Sequence, residues 1–81
     1  MDWTAKVGLN IRRLRAERLL TQEQLAGEAD IAMRHLGRIE RGEASPTVDM
    51  VAKLARALGV SPRDLFGESE TRSPEPPENA P

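Results

Sequence analysis

Three arginines, Arg34, Arg38 and Arg41, recur at intervals of four and three residues. In a helix that turns about 100° per residue they share one narrow arc, opposite the arc that holds Leu36 and Ile39. A guanidinium donates hydrogen bonds in a planar fork that matches phosphate oxygens or the O6 and N7 atoms of guanine. The spacing therefore favours a helix with one apolar, packed face and one cationic face for nucleic acid. The alternative is a solvated basic stripe with no ligand.

Catalytic chemistry has no comparable set of residues. His35 is the only histidine, and both cysteine and tyrosine are absent. Neither a nucleophile paired with a base nor a metal-ligand spacing can be assembled from what remains. We therefore expect no enzymatic activity, no metal and no cofactor. We interpret His35 as a solvated side chain, with a contact to a phosphate or a base as the alternative.

Charge is distributed unevenly along the 81 residues, a length that fits one domain. Residues 1–18 carry five basic and two acidic side chains, whereas residues 68–81 carry four acidic and one basic. Because the whole chain has a net charge of −1 and the last segment contributes −3, residues 1–67 carry +2. The overall charge therefore does not exclude an anionic partner for the first 67 residues.

The last 14 residues differ in composition from the rest. Four of the final eight are proline, and no apolar residue in the segment is larger than Ala80. Such a segment cannot offset the entropy of ordering its backbone. We predict a folded domain at 1–67 and a disordered acidic tail at 68–81, with binding of a partner as the alternative role for the tail.

The beginning of the chain carries no targeting signal that we recognise. Charges at Asp2 and Lys6 interrupt any apolar leader, and no run approaches the length of a membrane span. We expect a cytoplasmic protein that does not associate with membranes.

The arginines need helices to position them, and the chain predicts five. The third, at about 33–41, lacks a capping side chain at Ala32, contains Gly37 and ends at Gly42. The first helix is expected at about 4–18, and the second begins at a capping box formed by Thr21 and Gln24. The fourth is expected at 47–58, before Gly59, and a short fifth helix begins at Ser61. The predicted core residues are Val7, Ile11, Leu14, Leu25, Ala26, Ala29, Leu36, Ile39, Val48, Val51, Leu54, Ala55 and Leu58.

Four motifs within residues 7–66 resemble the phage repressor/Cro family, also called the XRE family, of helix-turn-helix DNA-binding domains. They are Ile11-Arg12-Arg13-Leu14-Arg15, Leu20-Thr21-Gln22-Glu23-Gln24-Leu25-Ala26, Ile39-Glu40-Arg41-Gly42 with Pro46, and Leu54-Ala55-Arg56-Ala57-Leu58-Gly59-Val60. The resemblance implies an all-α, compact five-helix repressor-like domain with a helix-turn-helix, followed by the disordered tail.

The resemblance also implies roles for single residues. Arg12, Gln22 and Arg41 match positions that contact DNA phosphates. The positions that face bases match Ala32, Met33, Arg34, Gly37 and Arg38. Arg15 and Glu40, which both lie near the packed arcs of their helices, match a partly buried ion pair. Asp30 and Gly37 depart from the usual pattern, so a target sequence cannot be transferred from a relative.

The partners implied are double-stranded DNA and a second copy of the chain. Leu65 and Phe66 present more apolar surface than so short a helix can bury by itself. This favours a homodimer that uses these residues as its interface, with Trp3 as a weaker candidate. Such a dimer would bind a pseudo-palindromic operator. A repressor or autoregulator, a restriction–modification controller and an antitoxin with a toxin partner all remain open. The rival class is a protein-interaction module whose DNA binding is secondary.

Overall fold

The computed structural model describes residues 2–67, which form four α-helices and one 3₁₀ turn. Their bounds are α1 Trp3–Glu17, α2 Gln22–Ala29, α3 Met33–Glu40, α4 Val48–Leu58 and the turn η1 Pro62–Leu65. The predicted all-α helix-turn-helix fold is confirmed, except that the fifth helix is a single 3₁₀ turn. Its hydrogen bonds join residues three apart, from the amide of Asp64 to the carbonyl oxygen of Ser61 at 2.9 Å and from that of Phe66 to Arg63 at 3.0 Å, as in a 3₁₀ helix. The predicted tail, 68–81, lies outside the described residues.

Side-chain caps begin the helices where the sequence predicts them. The Thr21 hydroxyl accepts a hydrogen bond from the backbone N–H of Gln24 at 3.0 Å. In return, the side-chain Oε1 of Gln24 accepts one from the backbone N–H of Thr21 at 2.8 Å. Thr47 caps α4 through its hydroxyl alone, which accepts a hydrogen bond from the backbone amide of Met50 at 3.1 Å. α3 has no such cap, because Ala32 has no acceptor. A missing cap costs a helix about 1 kcal/mol of stability. The packing of α3 against the other helices must therefore compensate for this cost.

All five elements contribute to one apolar core. Burial of each large side chain stabilises the fold by roughly 1.5–3 kcal/mol. The buried apolar residues are Val7, Ile11, Leu14, Leu25, Ala26, Ala29, Leu36, Ile39, Val51, Leu54, Ala55, Leu58 and Leu65.

Val48 is the exception among the predicted core residues, because 88% of its surface is exposed. It lies on the same arc of α4 as Val51, but it is the first residue after the cap. Val48 therefore lies on the predicted arc, but the prediction that it is buried is wrong.

Leu65 also differs from the prediction, since it is completely buried in the domain's own core. Asn10, buried on α1, holds this region by donating both amide hydrogens, to the carbonyl oxygen of Leu65 at 2.9 Å and to that of Gly67 at 2.8 Å. Leu65 therefore offers no surface to a second copy, and its assignment to a dimer interface is wrong. Phe66 remains 37% exposed and packs edge to face on Trp3, with ring centroids 5.8 Å apart.

Candidate nucleic-acid interface

The turn between α2 and α3 sets the direction of the third helix. Asp30 adopts a left-handed conformation with φ of 58°, and the amide of Ile31 then donates to the carbonyl oxygen of Ala26 at 3.0 Å. This conformation is one that aspartate tolerates better than most residues do. The turn places Leu36 and Ile39 in the core with no exposed surface. The opposite face of α3 is therefore directed outward.

Four of the five predicted base-facing residues are accessible to solvent. Ala32, Met33, Arg34 and Arg38 are all exposed, Met33 by 50%. Neither Arg34 nor Arg38 forms a salt bridge with any of residues 2–67. Their guanidinium groups are thus available to an external acceptor.

Gly37 occupies a different environment from the one the sequence suggests. It is buried, and a Cβ added there would lie 3.2 Å from Nη1 of Arg41 and 3.7 Å from the amide of Gln22. Glycine therefore makes room for these two side chains over the helix.

The three predicted phosphate-contacting residues converge on one shallow cavity. Arg12 on α1, Gln22 at the first position of α2 and Arg41 at the end of α3 line a space of about 260 Å³. Arg15 and Glu40 complete its wall. The amides in the first turn of α2 add partial positive charge beside Gln22. The guanidinium and amide groups around the cavity can donate hydrogen bonds to an oxyanion such as a backbone phosphate.

The predicted ion pair forms the inner wall of this cavity. Arg15 donates from Nε to Oε2 of Glu40 at 2.7 Å and from Nη2 to Oε1 at 3.0 Å. The Glu40 side chain is 3% exposed and that of Arg15 18%. Arg15 also donates from Nη1 to the carbonyl oxygen of Leu20 at 3.0 Å. The pair is confirmed, and it ties α1 to both α3 and the start of the helix-turn-helix.

Glu40 also orients Gln22. The Gln22 amide nitrogen donates to Oε1 of Glu40 at 2.9 Å, which fixes which end of the amide faces the protein. A primary amide carries a second N–H. One hydrogen is therefore held by the carboxylate while the other can be donated into the cavity.

Glu43 is a member of the site that the sequence analysis did not single out. Its carboxylate accepts from Nε of Arg41 at 3.1 Å and from Nη2 at 3.2 Å. The hydrogen bond from Arg41 lowers the pKa of Glu43, and Arg38 adds a smaller effect in the same direction. The spacing of two residues in a loop has no helical periodicity, so only the folded turn reveals the contact.

A small helical domain with arginines on the exposed face of α3, and further arginines around a cavity, is typical of a protein that binds nucleic acid. A family model described as helix-turn-helix matches residues 11–65. The chain therefore belongs to the helix-turn-helix family of DNA-binding transcription regulators. The described part, residues 2–67, contains no helix long and apolar enough to cross a membrane.

Two relatives and one solved structure are similar to this chain over most of its length. The chain is 43% identical over 65 residues to the uncharacterized HTH-type transcriptional regulator y4dJ of Sinorhizobium fredii, covering 80% of this chain and 84% of that one. It is 37% identical over 60 residues to the control protein C.BamHI of Bacillus amyloliquefaciens, covering 73% and 74%. The crystal structure of the restriction-modification controller protein C.AhdI from Aeromonas hydrophila superimposes with a TM-score of 0.76 at 36% identity, covering 78% of this chain and 96% of that one.

Proposed function

We propose that this protein is a sequence-specific repressor or autoregulator that binds double-stranded DNA as a homodimer on a pseudo-palindromic operator. The observation that carries the proposal is the convergence of Arg12, Gln22 and Arg41 on one cavity beside the exposed arginines of α3. A phosphate in that cavity would anchor the backbone. The outward face of α3 would then meet base edges in the major groove.

The relatives support a regulatory role of this kind. One of them is an immunity repressor protein of Bacillus phage phi105, 39% identical over 62 residues. The control protein C.BamHI and the controller protein C.AhdI, described above, are also similar to this chain. These relatives do not support a toxin partner.

An exposed aromatic surface supports dimerisation. Trp3 is 52% exposed and Phe66 37%, although the two rings already contact each other. We propose that Phe66, with Trp3, lies in the dimer interface. Two copies related by a twofold axis would place their α3 helices about 34–36 Å apart, one turn of DNA.

The dimer can be tested by sedimentation of the Phe66→Asp variant, with Leu9→Asp as the control because Leu9 is an exposed apolar residue elsewhere on α1. We expect the parent and Leu9→Asp to sediment as dimers and Phe66→Asp as a monomer. A monomeric parent at high protein concentration, with and without operator, would contradict the proposal.

DNA binding is tested with an operator enriched from random duplexes and a scrambled duplex, using fluorescence anisotropy at several salt concentrations. Alanine at Arg34 or Arg38 should cost about 1–3 kcal/mol on the operator and leave binding to the scrambled duplex nearly unchanged. Alanine at Arg41 should weaken both duplexes and reduce the salt slope by about one unit. Alanine at Arg56, an exposed arginine on α4, is the matched control.

The losses of affinity on the two duplexes show whether Arg34 and Arg38 contact bases. If alanine at Arg34 and at Arg38 weakens the operator and the scrambled duplex equally, these arginines supply only a positive field and do not contact bases. If no duplex is bound more tightly than the scrambled one, sequence-specific function is excluded.

A further inference from the structure

The acidic residue Glu43 lies in the loop just after α3 and contacts Arg41, the C-cap of that helix. Gly42 adopts a left-handed conformation with φ of 77°, which turns the chain back over the end of the helix. The amide of Glu43 then donates to the carbonyl oxygen of Arg38 at 2.9 Å, and that of Gly42 donates to the carbonyl oxygen of Ile39 at 3.0 Å. Backbone hydrogen bonds of this kind end a helix in a defined geometry. The Glu43 carboxylate is therefore held beside the guanidinium of Arg41.

Glu43 occupies the donors of Arg41 in the way that a phosphate would. Its carboxylate accepts from Nε of Arg41 at 3.1 Å and from Nη2 at 3.2 Å, a two-point contact along one edge of the guanidinium. Carboxylates and phosphates both bind arginine through such paired hydrogen bonds. Because Arg41 also lines the cavity, the carboxylate neutralises a charge that the proposed DNA contact uses.

The pair is weak enough to be exchanged for another anion. The side chains of Arg41 and Glu43 are 56% and 53% exposed, and an ion pair in water contributes little to stability. The pair of Arg15 and Glu40 in the same cavity is largely buried, so that separating its partners would leave a buried charge alone. A phosphate can therefore displace the Glu43 carboxylate from Arg41 without disturbing the inner wall.

We propose that Glu43 is an intramolecular competitor of the DNA phosphate for Arg41, and that binding of any duplex exchanges the carboxylate for a phosphate. The inference rests on the DNA-binding function proposed above and adds an autoinhibitory contact to it. Since phosphate contacts carry no sequence information, the competition lowers the affinity for every duplex by the same factor. Glu43 thus limits the occupation of non-specific DNA and leaves the preference for the operator unchanged.

The substitution Glu43→Gln tests the competition, because it removes the charge of the carboxylate and keeps the size of the side chain. We expect it to raise the affinity for both the enriched operator and the scrambled duplex about two- to fivefold at low salt, the strength of one exposed ion pair. The ratio of the two affinities should not change. Fluorescence anisotropy measures both affinities, and thermal unfolding confirms that the variant folds.

The same substitution in an Arg41→Ala background separates competition from simple repulsion. Without the guanidinium, carboxylate and phosphate have no shared partner, so Glu43→Gln should lose most of its effect. Such a cycle measures the coupling between two residues in contact. An equal gain in both backgrounds would show that Glu43 only repels DNA, which overturns the proposal.

Glu17→Gln is the matched control for the loss of one negative charge. Glu17 is 54% exposed and pairs with Arg13 at 3.0 Å, and neither of these two described residues lines the cavity. This variant should bind both duplexes like the parent. A gain equal to that of Glu43→Gln would trace the effect to the net charge of the protein and overturn the proposal.

Two other results for Glu43→Gln also contradict the competition. Weaker binding would show that the carboxylate orients Arg41 for the phosphate, and unchanged binding would show that the pair stays intact on DNA. Either result overturns this proposal alone, as long as the parent distinguishes the operator from the scrambled duplex. If the parent does not distinguish them, the proposed function fails as well.

Discussion

Gly8 on α1 lies directly against the carbonyl oxygen of Ile39 at the end of α3, with no side chain between the two helices. A Cβ built on Gly8 would overlap that oxygen and would approach the carbonyl oxygen of Glu40 to 3.0 Å. Both contacts are with backbone atoms, which cannot rotate away. The close approach brings Arg15 within reach of Glu40, and so supports the cavity wall that these two residues form.

Replacing Gly8 with alanine should therefore destabilise the fold by about 1–3 kcal/mol, because the helices must separate. Gly27→Ala is the matched control: Gly27 is also inside a helix, but a Cβ there would contact nothing within 4 Å. That change should stabilise the protein by up to about 1 kcal/mol. Urea unfolding of both variants measures the difference, and equal midpoints would contradict the predicted crowding at Gly8.

Glu40→Gln should lower the free energy of unfolding by about 3 kcal/mol, since it leaves the largely buried guanidinium of Arg15 without a charged partner. Glu17→Gln provides the comparison, because Glu17 forms an exposed pair with Arg13 at 3.0 Å. Its loss should cost no more than about 0.5 kcal/mol. Thermal and urea unfolding test both, and an unchanged Glu40→Gln protein would show that the buried pair contributes little.

Leu19 is an exposed residue in a strained conformation. Its φ is 57°, a left-handed backbone conformation that is unfavourable for leucine. Because 89% of its surface is exposed, burial of the side chain does not offset this cost. Leu19→Gly should raise the free energy of unfolding by about 0.5–1 kcal/mol, the strain relieved less the added entropy of the unfolded chain. Asp30→Gly should gain less, since aspartate tolerates φ of 58°. A loss of stability in Leu19→Gly would show an unrecognised contact of the leucine.

The carboxyl group of Glu43 should titrate with a pKa below its ordinary value, because it accepts hydrogen bonds from Arg41. A lowered folded-state pKa means that the pair contributes stability above the unfolded-state pKa and loses it as the pH falls through the folded-state value. The contribution is small, since both side chains are more than half exposed. NMR titration should show the pKa of Glu43 rising in Arg41→Ala, and an unchanged value would contradict the contact.

Local sequence predicted the helix ends because each depends on atoms within a few residues. Thr21 and Gln24 satisfy each other's backbone amides across a single turn. Gly59 ends α4 in the left-handed conformation expected of it, with φ of 72°. Periodicity likewise identified the face of α3 that packs, since that face is a property of one helix.

Burial could not be predicted in the same way, because it depends on which element covers a residue. Val48 lies on the correct arc of α4 and is exposed, whereas Leu65 lies on a single short turn and is fully buried. Asn10 showed no periodic signal that separated it from a surface residue. Its role follows from the carbonyl oxygens of Leu65 and Gly67, which only the folded chain brings to it.

The sequence by itself determined the helices, the cationic face of α3 and the family resemblance that suggested which residues contact phosphate. Tertiary structure alone decided that Arg12, Gln22 and Arg41, from three different helices, line one cavity. It also showed that the side chains of Gln22 and Arg41 pack over Gly37, and that Glu43 forms a salt bridge with Arg41. The physical reason is range: caps and periodicity act within a turn of helix, whereas a binding cavity is set by contacts between residues far apart in the chain.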